Sequence, residues 1–276
     1  MSVSIVTPTF NAAKYIEQTI LSVIKQSYKK WEWVIVDGGS SDNTIEILEK
    51  YSLTDKRISF IISNSDSGPA EARANAIKNS SGKYIAFLDA DDLWHNDKLK
   101  IQTDFMLKNN IKFSYTLCRE LQKNNKYVSV ILPTSSYFTY SDYLKKRGIY
   151  AFTTMIKRNL LTDDIINVWS KDSYDDTIWW LLILKKGTVA HLLPKDLGLY
   201  RISDNQLSSR RLYTIRNVYF MYDKFTDINI LYKHYLFLNY LINSLKRHIK
   251  LKLFKKIDVI DSRLDLNWYL NINSSE

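Results

Sequence analysis

The chain has one cysteine, Cys118, among 276 residues, which excludes an internal disulfide and a cysteine-built structural zinc site. Within the strand-like run 112–120 it reads as a small core hydrophobe. Long apolar runs are missing too. The longest, 178–184, has seven residues, against the ~20 that a helix needs to span a bilayer. Neither a basic n-region nor a small-residue cleavage site precedes the first strand-like run, so no secretory signal is read and a cytoplasmic location is expected. His95, His191, His234 and His248 have no metal-ligand spacing, and no serine sits in a nucleophile elbow. A dinucleotide-binding glycine fingerprint and a P-loop are absent. Triad hydrolysis, dehydrogenase and NTPase chemistry therefore lose their main support. Acidic residues are in deficit, 29 against 39 basic, for a net charge of +10. Such a protein attracts anions, whether nucleic acid, anionic lipid or a phosphorylated substrate. No nucleic-acid motif is present, so no nucleic-acid partner is expected.

What remains is ordinary for a folded protein: 45% hydrophobic and 25% charged residues, enough for a full α/β core with an appendage. Short β-branched runs at 5–6, 34–36, 58–62 and 84–88 alternate with helical stretches at 15–25, 44–51 and 70–79. Strand and helix alternating on short connections predict a largely parallel sheet with its functional loops at one edge. A helix near 98–108, a strand near 113–119 and a strand at 127–132 read as completion of a mixed sheet. A helix follows at 175–186, stopped by Gly187, then a strand at 189–193. From 210 to 269 the pattern is helical. Lys246, Arg247, Lys250, Lys252, Lys255 and Lys256 interleave there with Leu245, Ile249, Leu251, Leu253 and Phe254 as a basic amphipathic stretch.

The most informative residues are Asp89-Ala90-Asp91-Asp92, directly after the hydrophobic run 84–88. Carboxylates two apart at a strand end can converge on one hard divalent cation and leave its other positions to water and phosphate oxygens. A solvated turn leading into the next helix is the alternative. The motif has company: Ser4-Ile5-Val6-Thr7-Pro8-Thr9-Phe10-Asn11, the turn Val36-Asp37-Gly38-Gly39-Ser40-Ser41-Asp42, and Asp66-Ser67-Gly68-Pro69-Ala70-Glu71-Ala72-Arg73 each follow a predicted strand. Asp37 can accept hydrogen bonds from a base or a ribose, or shape a Gly-Gly turn while Asp42 caps the next helix. Arg73 can meet a phosphate or pair with a nearby acid such as Glu71. Asp175-Asp176 opens a helix, where the dipole alone favours acids, yet a general base would also be a carboxylate of this kind. Tyr200-Arg201-Ile202-Ser203-Asp204-Asn205-Gln206-Leu207-Ser208 can fold over a diphosphate or simply join the appendage.

In this order, over residues 4–208, these motifs resemble the family-two glycosyltransferases of GT-A fold, inverting enzymes that use nucleotide-diphospho-sugars. The resemblance implies a Rossmann-like, mostly parallel mixed sheet flanked by helices. Residues 1–209 would form the nucleotide-sugar-binding and catalytic domain, and 210–276 a helical C-terminal region facing membrane or acceptor. It implies that Thr7, Pro8 and Phe10 line the nucleotide pocket and that Asp37 binds the uracil of a UDP-sugar. Asp66 and Arg73 would face the donor. Asp89 and Asp91, around Ala90, look like the family's DxD pair, with Asp91 the direct ligand of Mn2+ or Mg2+ and Asp89 nearer the ribose. By the same resemblance Asp176 is the base that deprotonates the acceptor, giving one displacement with inversion. Two departures stand out: the pair is Asp-Asp where Glu-Asp is common, and Ser203 stands where many relatives have histidine.

The implied acceptor is a glycan, on a polyprenyl diphosphate, in a bacterial surface-polysaccharide pathway. Peripheral contact with an anionic membrane is a further expectation. A sugar nucleotidyltransferase is disfavoured, because Pro8-Thr9-Phe10-Asn11-Ala12 has no glycine to cradle a triphosphate. A catalytically inactive basic module that binds membrane or a partner is the remaining alternative, from a different class.

Overall fold

The computed structural model describes residues 2–63, 68–121, 127–131, 135–168, 175–202 and 211–254. The first half follows the predicted alternation: β1 (Val3–Thr9), α1 (Ile16–Ile24), β2 (Trp31–Asp37), α2 (Thr44–Thr54), β3 (Ile58–Ile62), α3 (Gly68–Lys78) and β4 (Tyr84–Phe87). The second half is more broken: β5 (Leu93–Trp94), α4 (Lys98–Lys108), β6 (Phe113–Leu121), β7 (Tyr127–Ile131), β8 (Tyr137–Phe138), α5 (Tyr140–Lys146), β9 (Met155–Lys157), α6 (Asp163–Ile166), α7 (Asp175–Lys185) and β10 (Ala190–Arg201). Two helices, α8 (Arg211–Phe225) and α9 (Ile230–Phe254), follow. The predicted helical tail beyond Phe254 lies outside the described residues.

The described strands all join one sheet, in the order β3-β2-β1-β4-β9-β6-β10-β5, with β7 beside β6 and β8 beside β10. The β3-β2-β1-β4 half is parallel, as is β6 with β10, whereas β9 runs antiparallel between β4 and β6. Residues 135–168, which carry β8, α5, β9 and α6, were not assigned from the sequence. A three-residue strand such as β9 shows no periodicity of its own.

Alternation along the strands splits the core in two. Val6, Val34, Val36 and Phe87 face α3, α5, α7, α8 and α9, while Ile5, Ile35 and Ala86 face α1, α2 and α4. Ala72, Ala74 and Ala76 keep α3 thin where it crosses the sheet. At the N-terminal edge of the parallel half, Glu32 Oε1 accepts hydrogen bonds from Ser4 Oγ at 2.7 Å, Ser81 N at 2.5 Å and Gly82 N at 2.9 Å. Burial acts to raise the Glu32 pKa, but these donors prevail and hold it below the ordinary value. Arg158 closes the same edge through Gly82 O at 2.6 Å and Ile77 O at 3.0 Å. That edge is tied shut, leaving the opposite one for the loops.

Candidate active site

The strand order dictates where a ligand sits. From β1 the chain winds outward to β2 and β3, then β4 returns to the other side of β1. Such a reversal marks the carboxyl ends of β1 and β4 as the place where open α/β sheets form their ligand crevice. Thr9 pairs with Asp37 and Asp37 with Ile62, while Leu88 N donates to Val6 O. The loops after β1, β2 and β4 therefore emerge together.

The loops after β1 and β2 are stapled to each other. Asn11, in the left-handed region at φ 48°, donates its N–H to Ser40 Oγ at 2.7 Å, and its side chain accepts from Ser41 N at 2.8 Å. Asp37 is fully buried. One carboxylate oxygen accepts from Gly39 N at 2.9 Å and Ser40 N at 2.7 Å, and the other from Ser40 Oγ at 2.6 Å. Of the two readings open from the sequence, the turn-shaping one is visible in these contacts. The cap of α2 expected at Asp42 is instead Asn43, and Asp42, one residue earlier, accepts from Thr44 N at 3.1 Å. Thr7 is also out of reach: its hydroxyl accepts the Trp33 indole N–H at 2.9 Å inside the core. Pro8 is half-buried, and Phe10 is 63% exposed beside Gly38. Phe10 is thus the one of these three that offers an open face.

After β4, Asp89 and Asp91 are half-buried while Ala90 and Asp92 are buried. Arg73 reaches across from α3 and places Nη2 2.5 Å from Asp89 Oδ1. The sequence offered a phosphate or Glu71 as its partner, and the structure shows Asp89. The loop itself is held from below. Thr19 Oγ1 lies 2.9 Å from Ala90 O and 3.0 Å from Asp92 O. Arg201 donates through Nε to Asp91 O at 2.8 Å and through Nη2 to Gln18 at 2.7 Å, its guanidinium 4.7 Å from the Tyr15 ring. Its backbone N–H donates to Asp92 Oδ1 at 2.9 Å. Burial, reinforced by the negative charges of Asp91 and Asp89, pushes the Asp92 carboxyl well above its ordinary pKa.

This corrects one expectation. Tyr200 and Arg201 do not begin a loop that folds over a diphosphate; they end β10, with Tyr200 stacked on Phe152 and Arg201 turned beneath the acidic loop. Sequence reading missed Thr19 and the inward role of Arg201, and gave Asp92 no role of its own. The apolar run Leu197-Gly198-Leu199-Tyr200 ahead of Arg201 was the available signal for a strand there. Residues 203–208 and Asp66 lie outside the described residues.

Asp176 opens α7, half-buried, with Thr177 N donating to its Oδ1 at 2.8 Å. One turn further on, the Trp180 ring meets Phe87, the last residue of β4, at 5.1 Å. That contact seats α7 under the strand that delivers Asp89 and Asp91. Among the described residues no group of three or more His, Cys, Asp or Glu is gathered for a metal. The donor set still suits a hard cation. Mg2+ and similar ions are commonly held by one or two carboxylates plus substrate phosphates; Asp91 fits that part, with Asp89 committed to Arg73.

Comparison with known proteins decides the family. The description "Glycosyl transferase family 2" matches residues 4–163. The chain belongs to glycosyl transferase family 2. The matched span holds the crevice and the acidic loop, and stops short of Asp176 and Arg201. Among curated relatives of this glycosyltransferase, the teichuronic acid biosynthesis glycosyltransferase TuaG of Bacillus subtilis is 34% identical over 247 residues, covering 90% of this chain and 97% of its own. The UDP-Glc:alpha-D-GlcNAc-diphosphoundecaprenol beta-1,3-glucosyltransferase WfgD of Escherichia coli is 35% identical over 251 residues, covering 89% and 94%. The structure of S. aureus TarS 1–349 with UDP-GlcNAc superposes with a TM-score of 0.66 at 21% identity, covering 94% of this chain and 77% of that one. A Pyrobaculum calidifontis mannosyltransferase bound to GDP-Man and Mn2+ gives 0.62 at 19% identity, covering 80% and 63%. The GT-A fold expected from the sequence is thereby shown.

Proposed function

We propose that this glycosyltransferase moves a hexose or N-acetylhexosamine from a UDP-sugar to a hydroxyl of a glycan carried on a polyprenyl diphosphate, with inversion, in the synthesis of a bacterial surface polysaccharide. The carrying observation is Asp91, half-exposed at the β1/β4 crevice on a loop anchored by Thr19 and Arg201, with the Arg73–Asp89 pair beside it. The names of WfgD and TarS, which specify a lipid-diphosphate acceptor and a UDP-sugar, support the choice of substrates.

Phe10 offers a face on which the nucleobase stacks, and Asp37 holds the turn behind it. Asp91 would hold Mn2+ or Mg2+, which when bound offsets the charge of the departing diphosphate. Asp89, oriented by Arg73, faces the ribose and sugar. Asp176 takes the proton of the acceptor hydroxyl as that oxygen bonds to the anomeric carbon and the bond to the diphosphate breaks. The helices after residue 210 form the acceptor side, and the reaction takes place on the cytoplasmic face of the membrane.

The test is transfer from UDP-glucose and UDP-GlcNAc to a polyprenyl-diphosphate-linked sugar, with Asp176→Asn and Asp91→Asn beside the wild type. Asp176→Asn should lose at least about a hundredfold in kcat while still binding UDP. Full transfer by Asp91→Asn would overturn the reading.

A further inference from the structure

Helix α9 packs against α5 and α8 through Lys233, Leu236 and the half-buried Tyr232, Phe237 and Tyr240. Its opposite side is also apolar. Leu231, Tyr235, Leu238, Ile242 and Leu245 are 81%, 53%, 57%, 50% and 53% exposed. Their spacing of four, three, four and three residues places all five within about 80° of arc at 100° per residue. The stripe runs roughly 21 Å along the helix. A continuous exposed apolar stripe of this size marks a surface that something covers.

Charge selects the occupant. From Ile230 to Phe254 the helix has no aspartate or glutamate. Lys233 is buried and paired with Asp223 at 2.6 Å, and the sequence supplies Lys246, Arg247, Lys250 and Lys252 towards the C-terminal end. The spacing continues in the sequence at Ile249 and Leu253, with the later bases interleaved. Pairing with a second copy along a heptad seam would set bases against bases when parallel, and when antiparallel would offer them no acid, since the helix has none. An anionic lipid surface satisfies both features, taking the apolar side chains at its acyl boundary and the lysines at its headgroups. No described helix is long and apolar enough to cross a membrane; this one suits lying along it.

We propose that α9 docks the enzyme onto an anionic bilayer through Leu231, Tyr235, Leu238, Ile242 and Leu245. The surface connects to the site through one intervening helix: α9 packs on α5, and α5 packs on α7, the helix that presents Asp176. The proposal goes beyond the donor and acceptor reading and stands without it.

The test is flotation of the full chain with vesicles of phosphatidylglycerol and phosphatidylcholine, against vesicles of phosphatidylcholine alone. Binding should need the anionic lipid and weaken with salt. The double variant Leu238→Glu, Ile242→Glu should bind at least about tenfold less, with an unchanged melting midpoint because both side chains are exposed. Lys246→Gln and Lys250→Gln should each cost about fivefold. Equal binding by the double variant would overturn the proposal. So would absence of wild-type binding, or a concentration-dependent dimer in light scattering that the double variant dissolves. A UDP-induced rise in melting temperature, measured without lipid, reports the donor site separately.

Discussion

Arg201→Met tests whether the acidic loop works because it is held from beneath. Methionine keeps the apolar stem and removes the guanidinium, so the Asp91 carbonyl and the Gln18 side chain lose donors at 2.8 and 2.7 Å, and Tyr15 loses its cation at 4.7 Å. Two hydrogen bonds from a charged donor contribute about 1.5 kcal/mol each, and the cation–π contact roughly 0.5–1 kcal/mol. Arg201 is 6% exposed, so water does not replace these partners freely. The loss should be about 3–4 kcal/mol, lowering the melting midpoint by about 10 °C for a chain of this size. Below the transition of both proteins, UDP affinity in the presence of Mn2+ should also fall, since Asp91 would no longer be held at the crevice. Arg201→Lys should be intermediate, because an ammonium cannot span both acceptors as the guanidinium does. Calorimetry gives the stability and titration calorimetry the affinity. A variant that melts within about 2 °C of wild type and binds UDP equally would refute the reasoning.

Other predictions address different parts of the fold. Arg73→Gln removes the charge opposite Asp89 and should lower kcat/KM roughly ten- to hundredfold, measured as UDP release. Gly82→Ala places a Cβ 2.5 Å from Ser4 N and 2.9 Å from Val3 C, backbone atoms that cannot step aside. It should cost about 2–3 kcal/mol in denaturant unfolding. Because the folded-state pKa of Glu32 is lowered, its carboxylate contributes stability that is present above the unfolded pKa and lost as pH falls through the folded one. The stability gap between wild type and Glu32→Gln should therefore be full at pH ~7 and narrow as pH falls below the ordinary glutamate value of about 4.3.

The first half of this fold was legible because its elements are local. Each strand through β4 is a β-branched or aromatic run, each helix lies between two such runs, and the acids at 89–92 follow the last one directly. Cys118 sits buried as expected, with its thiol pushed up in pKa by burial. The second half was less legible because its order comes from pairing. β9 has three residues and finds its place only between β4 and β6. Pro194, Lys195 and Asp196 interrupt β10 and end its readable run at Leu193, but register shifts at Leu193/Asp196 and Asp196/Leu199 carry the strand through to Arg201. That continuation is what places Arg201 under a loop 110 positions earlier in the chain. Within the site, residue type showed where acids cluster. It did not show that Asp37 is consumed by its own turn, that Thr7 points into the core, or that Asp89 answers to Arg73.

The proposed mechanism needs a metal-assisted UDP-sugar site at the β1/β4 crevice. Titration calorimetry of the full chain with UDP, in Mn2+ and then in EDTA, tests it most directly, with GDP and CDP as controls. UDP should bind saturably only with the metal present, more weakly to Asp91→Asn, and more tightly than GDP or CDP. UDP binding of equal strength in EDTA, or undiminished in Asp91→Asn, would contradict the mechanism.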